Sequence, residues 1–345
     1  MPDPARERDL AVAAAAGIHR VPVPTPFAVG RVNCYLIEDD PLTLVDCGPN
    51  SGSALTVLEA GLAAHGRKVA DLQRIVLTHQ HIDHIGLAQI LADRSGAEIC
   101  CLDALVPWLA SYSERMDADD VFSANLMHAH GLPADVVLAL RAVSASFRAW
   151  GASARAGTPL APGSTLDFAG RSLRVLHRPG HSPSDTVFHD EASGILLAGD
   201  HLIAHISSNP LISRPLDGSD AAAAGGAGAP RPQALVTYLQ SLQQTAAMEL
   251  SLVLPGHGDP ITDHVGLIQS RIRGHERRKL KIASLIDEGP RTAHEIATAL
   301  WGDIAVTQAY LTLSEVLGHI DLLLADGRIS EATDAGGVVR FSPAS

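Results

Sequence analysis

The sequence is poor in cysteine, poor in positive charge and free of long apolar runs, and each shortage narrows what the chain can be. Four cysteines occur in 345 residues: Cys34, Cys47, Cys100 and Cys101. None forms a CxxC pair and no framework spacing appears, so a disulfide scaffold is not expected. Buried free thiols in a reducing cytosol fit better. No apolar run approaches the roughly 20 residues that span a bilayer. The N-terminus mixes Asp3, Glu7 and Asp9 with Arg6 and Arg8 before a short Ala-rich stretch. That makes a poor signal peptide, and a cytoplasmic location is expected. Lys and Arg number 26 against 38 Asp and Glu, a formal net charge of −12. Nucleic-acid affinity comes mainly from basic side chains on phosphates, so this balance weighs against a general nucleic-acid binder.

What the chain holds is apolar material for an ordinary core, 46% of residues. Its length suits one large domain plus a small one. Residues 1–17 read as a charged, Ala-rich lead-in. Ile18 to Val29, with Pro22, Pro24 and Pro26, suits an edge strand or extended arm. Val32–Glu38 and Leu42–Asp46 read as a strand hairpin. Ser53–His65 is helical by pattern, with Leu55, Leu58 and Leu62 on one face. Arg74–Leu77 and Ala97–Cys101 read as strands of βαβ units, which argues for helices packed on sheets.

Residues 103–165 break this pattern and read as a helical insertion. Val136, Leu140, Val143, Phe147 and Trp150 share one apolar face. Arg141, Arg148 and Arg155 recur at heptad spacing. The insertion is a candidate substrate lid, and its arginines are candidate contacts for an anionic substrate. Each arginine taken singly reads more simply as part of a solvated face.

Strand signals resume at Ser172–His177, Thr186–His189 and Gly194–Asp200. Asp217–Pro232 is low-complexity and expected to form a flexible loop. Gln233–Glu249 reads as a helix and Leu250–Leu254 as a strand. A long helix after Asp263 carries a basic run from Arg271 to Lys281. Thr292 and Glu295 fit a capping box. Two more helices and a Gly-turn hairpin complete a winged-helix-like module over 270–345. The helix over Thr307–Ala325 has no Lys or Arg, whereas a helix read against phosphates should be basic. The module therefore reads as a packing or dimerisation element.

The stretch Thr78–Gly86 organises the rest. It places His79, His81, Asp83 and His84 on one tight turn between a buried strand and a helix. On a strand, His79 and His81 would project to one side. Asp83 and His84 fall where the chain bends and can reach a second point. His181, Asp200 and His257 each follow a buried-looking strand, beside glycine. Strand ends on one rim of a sheet converge, so these distant residues can join the first four. Five His and two Asp suit two borderline divalent ions. His79, His81 and His181 are assigned to one ion, Asp83, His84 and His257 to the other, with Asp200 bridging. A water between such ions would be acidified to a pKa near ~7.

The run His79-x-His81-x-Asp83-His84, Gly180-His181, Gly199-Asp200 and Pro255-Gly256-His257-Gly258 resembles the metallo-β-lactamase superfamily. The resemblance covers roughly residues 20–265. It implies an αββα sandwich with metals at one edge of two sheets, here a catalytic domain over 18–265 followed by the winged-helix-like domain. Asp46 resembles the family's early strand-end aspartate, a support for a ligand rather than a ligand. A bridging Asp200 looks like the glyoxalase II, lactonase and RNase Z branches. The segment between Asp200 and His257 is too short for the inserted domain of the RNA-processing exonucleases. Asp185 stands where many relatives carry a histidine, which makes transferred substrate preference doubtful.

These residues point to a metal-dependent hydrolase holding two divalent ions, zinc by preference, with iron or manganese as alternatives. Metal-bound hydroxide would attack an activated acyl bond, a thioester or ester. Asp83 and His201 are the candidate catalytic groups beside the ligands; His205 is a weaker candidate for the pocket. The alternatives are a metal-dependent endoribonuclease on single-stranded RNA and a mononuclear iron persulfide dioxygenase. The expected partner is a small-molecule acyl substrate. Nucleic acid is disfavoured, no membrane is involved, and a homodimer is one assembly the C-terminal module could serve.

Overall fold

The computed structural model describes residues 4–216, 225–226 and 230–344. A six-stranded sheet runs, in spatial order, β1 (Ile18–Val23), β2 (Val32–Ile37), β3 (Thr43–Val45), β4 (Arg74–Val76), β5 (Glu98–Leu102) and β6 (Thr158–Leu160). A five-stranded sheet runs β11 (Leu252–Pro255), β10 (Ile195–Gly199), β9 (Thr186–Asp190), β8 (Ser172–His177) and β7 (Thr165–Asp167). β1, β2 and β3 pair antiparallel, whereas β3 to β6 are parallel. In the second sheet only β10 and β11 pair in parallel.

Strand alternation explains the layering. In β2, Val32, Cys34 and Leu36 join one core while Tyr35 and Ile37 join another. In β10, Ile195 and Leu197 join that second core while Leu196 and Ala198 join a third. Successive strand side chains point to opposite faces, so a strand apolar on both must be covered on both. Helices α2 (Gly52–Ala64), α4 (Ala88–Ser95) and α5 (Val106–Ala110) cover the first sheet through Leu58, Leu62, Leu91 and Trp108. Helices α8 (Ala234–Ala246) and α9 (His264–Asp287) cover the second through Tyr238, Leu242 and Ile268. The result is an αββα sandwich. All four cysteines are buried and free, with Cys100 and Cys101 on opposite faces of β5.

Bonds across the two sheets lock one rim. Tyr35 Oη donates to Pro255 O at 2.7 Å. Asn33 Nδ2 donates to Pro255 O and Gly258 O at 3.0 and 2.9 Å. Asn33 N donates to Gly256 O at 2.6 Å. At this rim β3, β4, β8, β10 and β11 all end, just ahead of Asp46, the Thr78–His84 run, His181, Asp200 and His257.

The structure fills in two elements and corrects one expectation. The lead-in folds as helix α1 (Pro4–Ala15). Helical structure in the insertion ends by Trp150, and the stretch expected to be helical to 165 contains β6 and the start of β7. Short strands with mixed polarity carry too little periodicity to separate from a loop by pattern. The insertion packs onto the C-terminal region. Its helices α6 (Tyr112–Ala129) and α7 (Ala134–Phe147) share a core with the C-terminal helices through Phe122, Leu126, Met127 and Val137. The loop expected over 217–232 lies largely outside the described residues.

The C-terminal region holds α9, α10 (Ala293–Trp301), α11 (Ile304–Thr307), α12 (Ala309–Ala325) and the hairpin β12 (Ile329–Thr333) and β13 (Val339–Pro343). The capping box forms: Thr292 Oγ1 accepts from Glu295 N at 3.1 Å, and Glu295 Oε2 accepts from Thr292 N at 2.7 Å. α12 is the centre of this region, buried along Leu313, Val316, Leu317, Ile320 and Leu323. Of the basic run in α9, Arg278 lies over the Trp301 ring at 4.9 Å and Lys279 pairs with Glu276 and Asp326. Arg273, Arg277 and Lys281 remain exposed. Among the described residues no helix is long and apolar enough to cross a membrane.

Candidate metal centre

The organising run leaves β4 at Val76 and re-enters helix only at α3 (Ile82–Ile85). His79 and His81 therefore sit on a loop rather than a strand. Ser184 and Gln80 tie this loop to the one carrying His181. Gln80 N donates to Ser184 Oγ at 3.1 Å, and the hydroxyl donates in turn to Gln80 Oε1.

The structure brings all seven expected ligand residues together. His81 Nδ1 lies 3.0 Å from His79 Nε2 and 2.9 Å from His181 Nε2. His257 Nε2 lies 3.3 Å from Asp83 Oδ2. Asp200 stands between the two groups. Its Oδ1 is 3.5 Å from His84 Nε2, and its Oδ2 is 3.6 Å from His181 Nε2 and 3.5 Å from His257 Nε2. The trios His79–His81–His181 and Asp83–His84–His257 each place one ligand-type atom per residue within 4.8 Å of the others.

The outer nitrogens are fixed by the protein. His84 Nδ1 bonds Asp46 Oδ2 at 2.7 Å, His257 Nδ1 bonds Arg31 O at 2.9 Å and His181 Nδ1 bonds Asn209 O at 3.1 Å. Such partners set the tautomer and ring orientation of a metal ligand. Asp46 itself is held by Thr78, whose N and Oγ1 donate to its two oxygens at 2.9 and 2.8 Å. Asp46 also carries a positive φ of 55°. A non-glycine residue there is uncommon and costs on the order of 1–3 kcal/mol, recovered from the surroundings.

The inward atoms are different. Among the described residues, His84 Nε2, Asp200 Oδ1 and His257 Nε2 are buried without a hydrogen bond and have only ion-pair contacts of 3.3–3.5 Å with one another and Asp83. Leaving buried polar atoms unpaired costs about 1–3 kcal/mol each. A divalent cation coordinated by nitrogen and carboxylate oxygen would satisfy all three, so the donor set fits a metal. Gly256 shapes the space: a Cβ there would lie 2.3 Å from Asp200 Oδ1 and 2.8 Å from the His84 ring.

Charge follows the same division. Burial works against a proton on His84, but Asp46, Asp200 and Asp83 outweigh it and hold the imidazole well above its usual range. His257 is raised likewise: burial opposes the charge, while Asp200 and Asp83 favour it. Burial and the neighbouring His181 push His81 down to about 3. Burial opposes charge on Asp200, yet His257 and His84 hold it well below the carboxylate range.

These residues fall within a recognised family. Residues 28–257 match the metallo-beta-lactamase superfamily, and residues 280–344 match the C-terminal domain of metallo-beta-lactamase-like proteins. The chain belongs to the metallo-beta-lactamase superfamily. It is 34% identical over 319 residues to the probable metallo-hydrolase YqjP of Bacillus subtilis, covering 92% of this chain and 95% of that one. A metallo-beta-lactamase family protein from Thermus thermophilus, TTHA1429, superposes with a TM-score of 0.75 at 26% identity, over 95% of this chain and 98% of its own. A more distant relative, the atrochrysone carboxyl ACP thioesterase nsrC of Aspergillus novofumigatus, is 24% identical over 160 residues, 43% of each chain. The protein is a metal-dependent hydrolase of this superfamily, with His/Asp clusters able to bind metal.

Two sequence expectations change at the site. His201 is bonded through Nε2 to α8. It is fully buried, its Nε2 bonds Thr245 Oγ1 at 2.8 Å, and burial with Arg178 and His181 pushes it down to about 3. Residues adjacent on an irregular chain point in different directions, so adjacency to Asp200 carries no information about side-chain direction. Arg148, a candidate substrate contact by sequence, is instead engaged by Asp117 and Asp120 of α6. Asp185 has a structural role. Its oxygens accept from Ser182 N at 2.8 Å and Ser182 Oγ at 2.6 Å, closing the turn that carries His181. Thr78, Gln80 and the carbonyls of Arg31 and Asn209 are additions that the sequence pattern does not single out. Carbonyl partners have no side-chain signal, since every residue carries one.

Proposed function

We propose that this protein is a dinuclear zinc hydrolase that cleaves an activated acyl bond in a small molecule, a thioester first and an ester second. The observation that supports it most is the set of three orphaned buried atoms, on His84, Asp200 and His257, inside a cluster whose outer polar atoms are paired. One carboxylate lying at comparable distance from His84, His181 and His257 favours two ions over one. Bound zinc would acidify water near neutral pH and polarise the acyl carbonyl.

The chain's own groups have separable roles. Asp46 and the Arg31 and Asn209 carbonyls orient His84, His257 and His181. Asp200 links the two ligand trios. Burial works against charge on Asp83, but His84 and His257 hold its carboxyl below the ordinary range. That keeps Asp83 a carboxylate, the form in which it would bind an ion. With His201 turned to Thr245, that histidine is not positioned to protonate a leaving group, which a low-pKa thiolate scarcely needs. The activity for which the nsrC relative is named, that of an acyl-carrier thioesterase, agrees with a thioester substrate. The buried, cation-free face of α12 is unlike a surface that reads phosphates.

Metal content per chain, in protein isolated without added metal, tests this reading alongside turnover of an acyl-CoA panel and a single-stranded RNA. About two zinc per chain with thioester turnover is expected. Two zinc with RNA cleavage and no thioester turnover would replace the substrate class. One iron per chain would overturn the hydrolytic mechanism.

A further inference from the structure

Between Asp200 and α8 the chain runs through a segment, 202–216, that holds no helix or strand. Its middle reaches the metal centre through the Asn209 carbonyl, which fixes His181 Nδ1 at 3.1 Å. The other outer partners are set by the sheet itself: Arg31 directly precedes β2 and Asp46 directly follows β3. Asn209 has no strand under it. Something else must hold its carbonyl in place.

The C-terminal helices do so. Arg271 of α9 directs Nη2 at three nearby carbonyls, Ile203 O at 3.1 Å, Ala204 O at 2.9 Å and Ile206 O at 2.8 Å. From α12, Leu311 O accepts from Asn209 Nδ2 and Ser314 Oγ accepts from Ile212 N, both at 3.3 Å. Tyr310 Oη donates to Ile212 O. Guanidinium is rigid, permanently charged and rich in donors, which suits a cluster of carbonyls with no ladder partners. These contacts bracket Asn209 on both sides.

We propose that Arg271 is a positioning residue for the metal centre. With Tyr310 and Ser314 it fixes the segment 203–212, and thereby the Asn209 carbonyl that orients His181. The C-terminal helices are then part of the metal site, although none of their side chains is a ligand in it. The inference rests on the two-ion reading above, and it assigns the effect to one ion, that of His79, His81 and His181.

The experiment is zinc titration of metal-stripped, full-length protein against a chromophoric chelator, with a thermal melt of each variant. Wild type should take up two equivalents. Arg271→Ala should weaken one equivalent by about 10–100-fold, the range for losing the partner that orients a ligand, and leave the other unchanged. Arg271→Lys should recover part of the loss, and Arg273→Ala, exposed on the same helix, should match wild type. Should Arg271→Ala fail to fold, Ser314→Ala must weaken the same equivalent by a smaller factor. Unchanged uptake by whichever variant is measured, or equal weakening of both equivalents with a fall in Tm, overturns the proposal. Wild type that takes up no zinc would instead sink the metal reading beneath it.

Discussion

Two clusters of histidine in this molecule look alike at first sight and are built for opposite ends. In the metal centre, His81 Nδ1 approaches the His79 and His181 nitrogens to 3.0 and 2.9 Å. In the C-terminal region, His275 Nδ1 and His319 Nε2 approach to 3.2 Å, with Glu315 beside them. The difference lies in what each cluster leaves unpaired and what surrounds it. The metal centre has orphaned inward atoms and the charges of Asp46, Asp83 and Asp200. In the second cluster the two histidines bond each other, and His319 Nδ1 donates to Glu315 O at 2.6 Å. Burial leads there: with Arg278 and Arg271 it pushes His275 down to about 4, and with His275, Arg278 and Lys279 it pushes His319 down to about 3. Beside Asp46, Asp83 and Asp200, His84 and His257 are raised; His81 in the same centre is lowered by burial, as His275 and His319 are in theirs. Close histidines do not by themselves make a metal site. What sets the first cluster apart is its inward atoms without hydrogen bonds and its three carboxylates.

The sharpest way to break the comparison is to remove the carboxylate that spans the two ligand trios. Asp200→Ala should reduce hydrolysis by at least about a thousandfold, equivalent to roughly 4 kcal/mol of lost transition-state stabilisation, and release both ions while the far-UV circular dichroism stays native. Retained activity would end the two-ion reading. Next in size is Asp46→Ala. It removes the partner of His84 Nδ1 and should weaken the ion held with Asp83 and His257 by about 10–100-fold. It should spare the His181 ion, the reverse of the Arg271→Ala pattern. If both variants weakened the same equivalent, the division of ligands between two ions would be wrong.

The first of these clusters is open to reading in the sequence, and the second is not. Strand ends beside glycine are visible as apolar runs that stop, so His181, Asp200 and His257 can be joined to the His79–His84 run although far apart in the chain. Asp46 is legible only through the resemblance of its turn to the family's early strand-end aspartate. The supports are not. Arg31 and Asn209 act through backbone carbonyls, Arg271 acts through a segment with no periodicity, and nothing in residue type marks either. His275 and His319 look isolated in the sequence because they meet only when α9 packs on α12. His201 looks like a pocket residue because it adjoins a ligand, yet adjacency on an irregular chain does not fix side-chain direction. The insertion is legible as helix up to α7, but its burial against the C-terminal core is not, since one amphipathic face does not say which partner covers it.

Acid sharpens the comparison from the other side. His275 and His319 have folded values well below the unfolded 6.5, so the folded state binds fewer protons. Their contribution is intact above pH 6.5 and is lost as pH falls towards about 4 for His275 and about 3 for His319, by up to about 1.4 kcal/mol per pH unit for each residue. Arg271, Arg278, Lys279, Glu276 and Glu315 face the pair and none reverses this sign. Urea titrations of metal-free protein at about pH 7 and about pH 5 should therefore show lower stability in the more acidic buffer. Replacing both histidines by leucine should shrink that difference. An undiminished difference would place the acid sensitivity elsewhere.

The smallest expected effect is also the most diagnostic. His319→Leu leaves His275 Nδ1 buried without its partner, at a cost of about 1–3 kcal/mol. His275→Leu does the same to His319 Nε2. The double variant removes both groups, so its cost should fall below the sum of the two singles, the signature of a hydrogen-bonded pair. Zinc uptake should remain at wild-type stoichiometry in all three. An extra equivalent bound by wild type and lost in each of them would mean that the second cluster holds metal after all. Inward atoms without hydrogen bonds and nearby carboxylates would then fail as the criterion separating the two clusters.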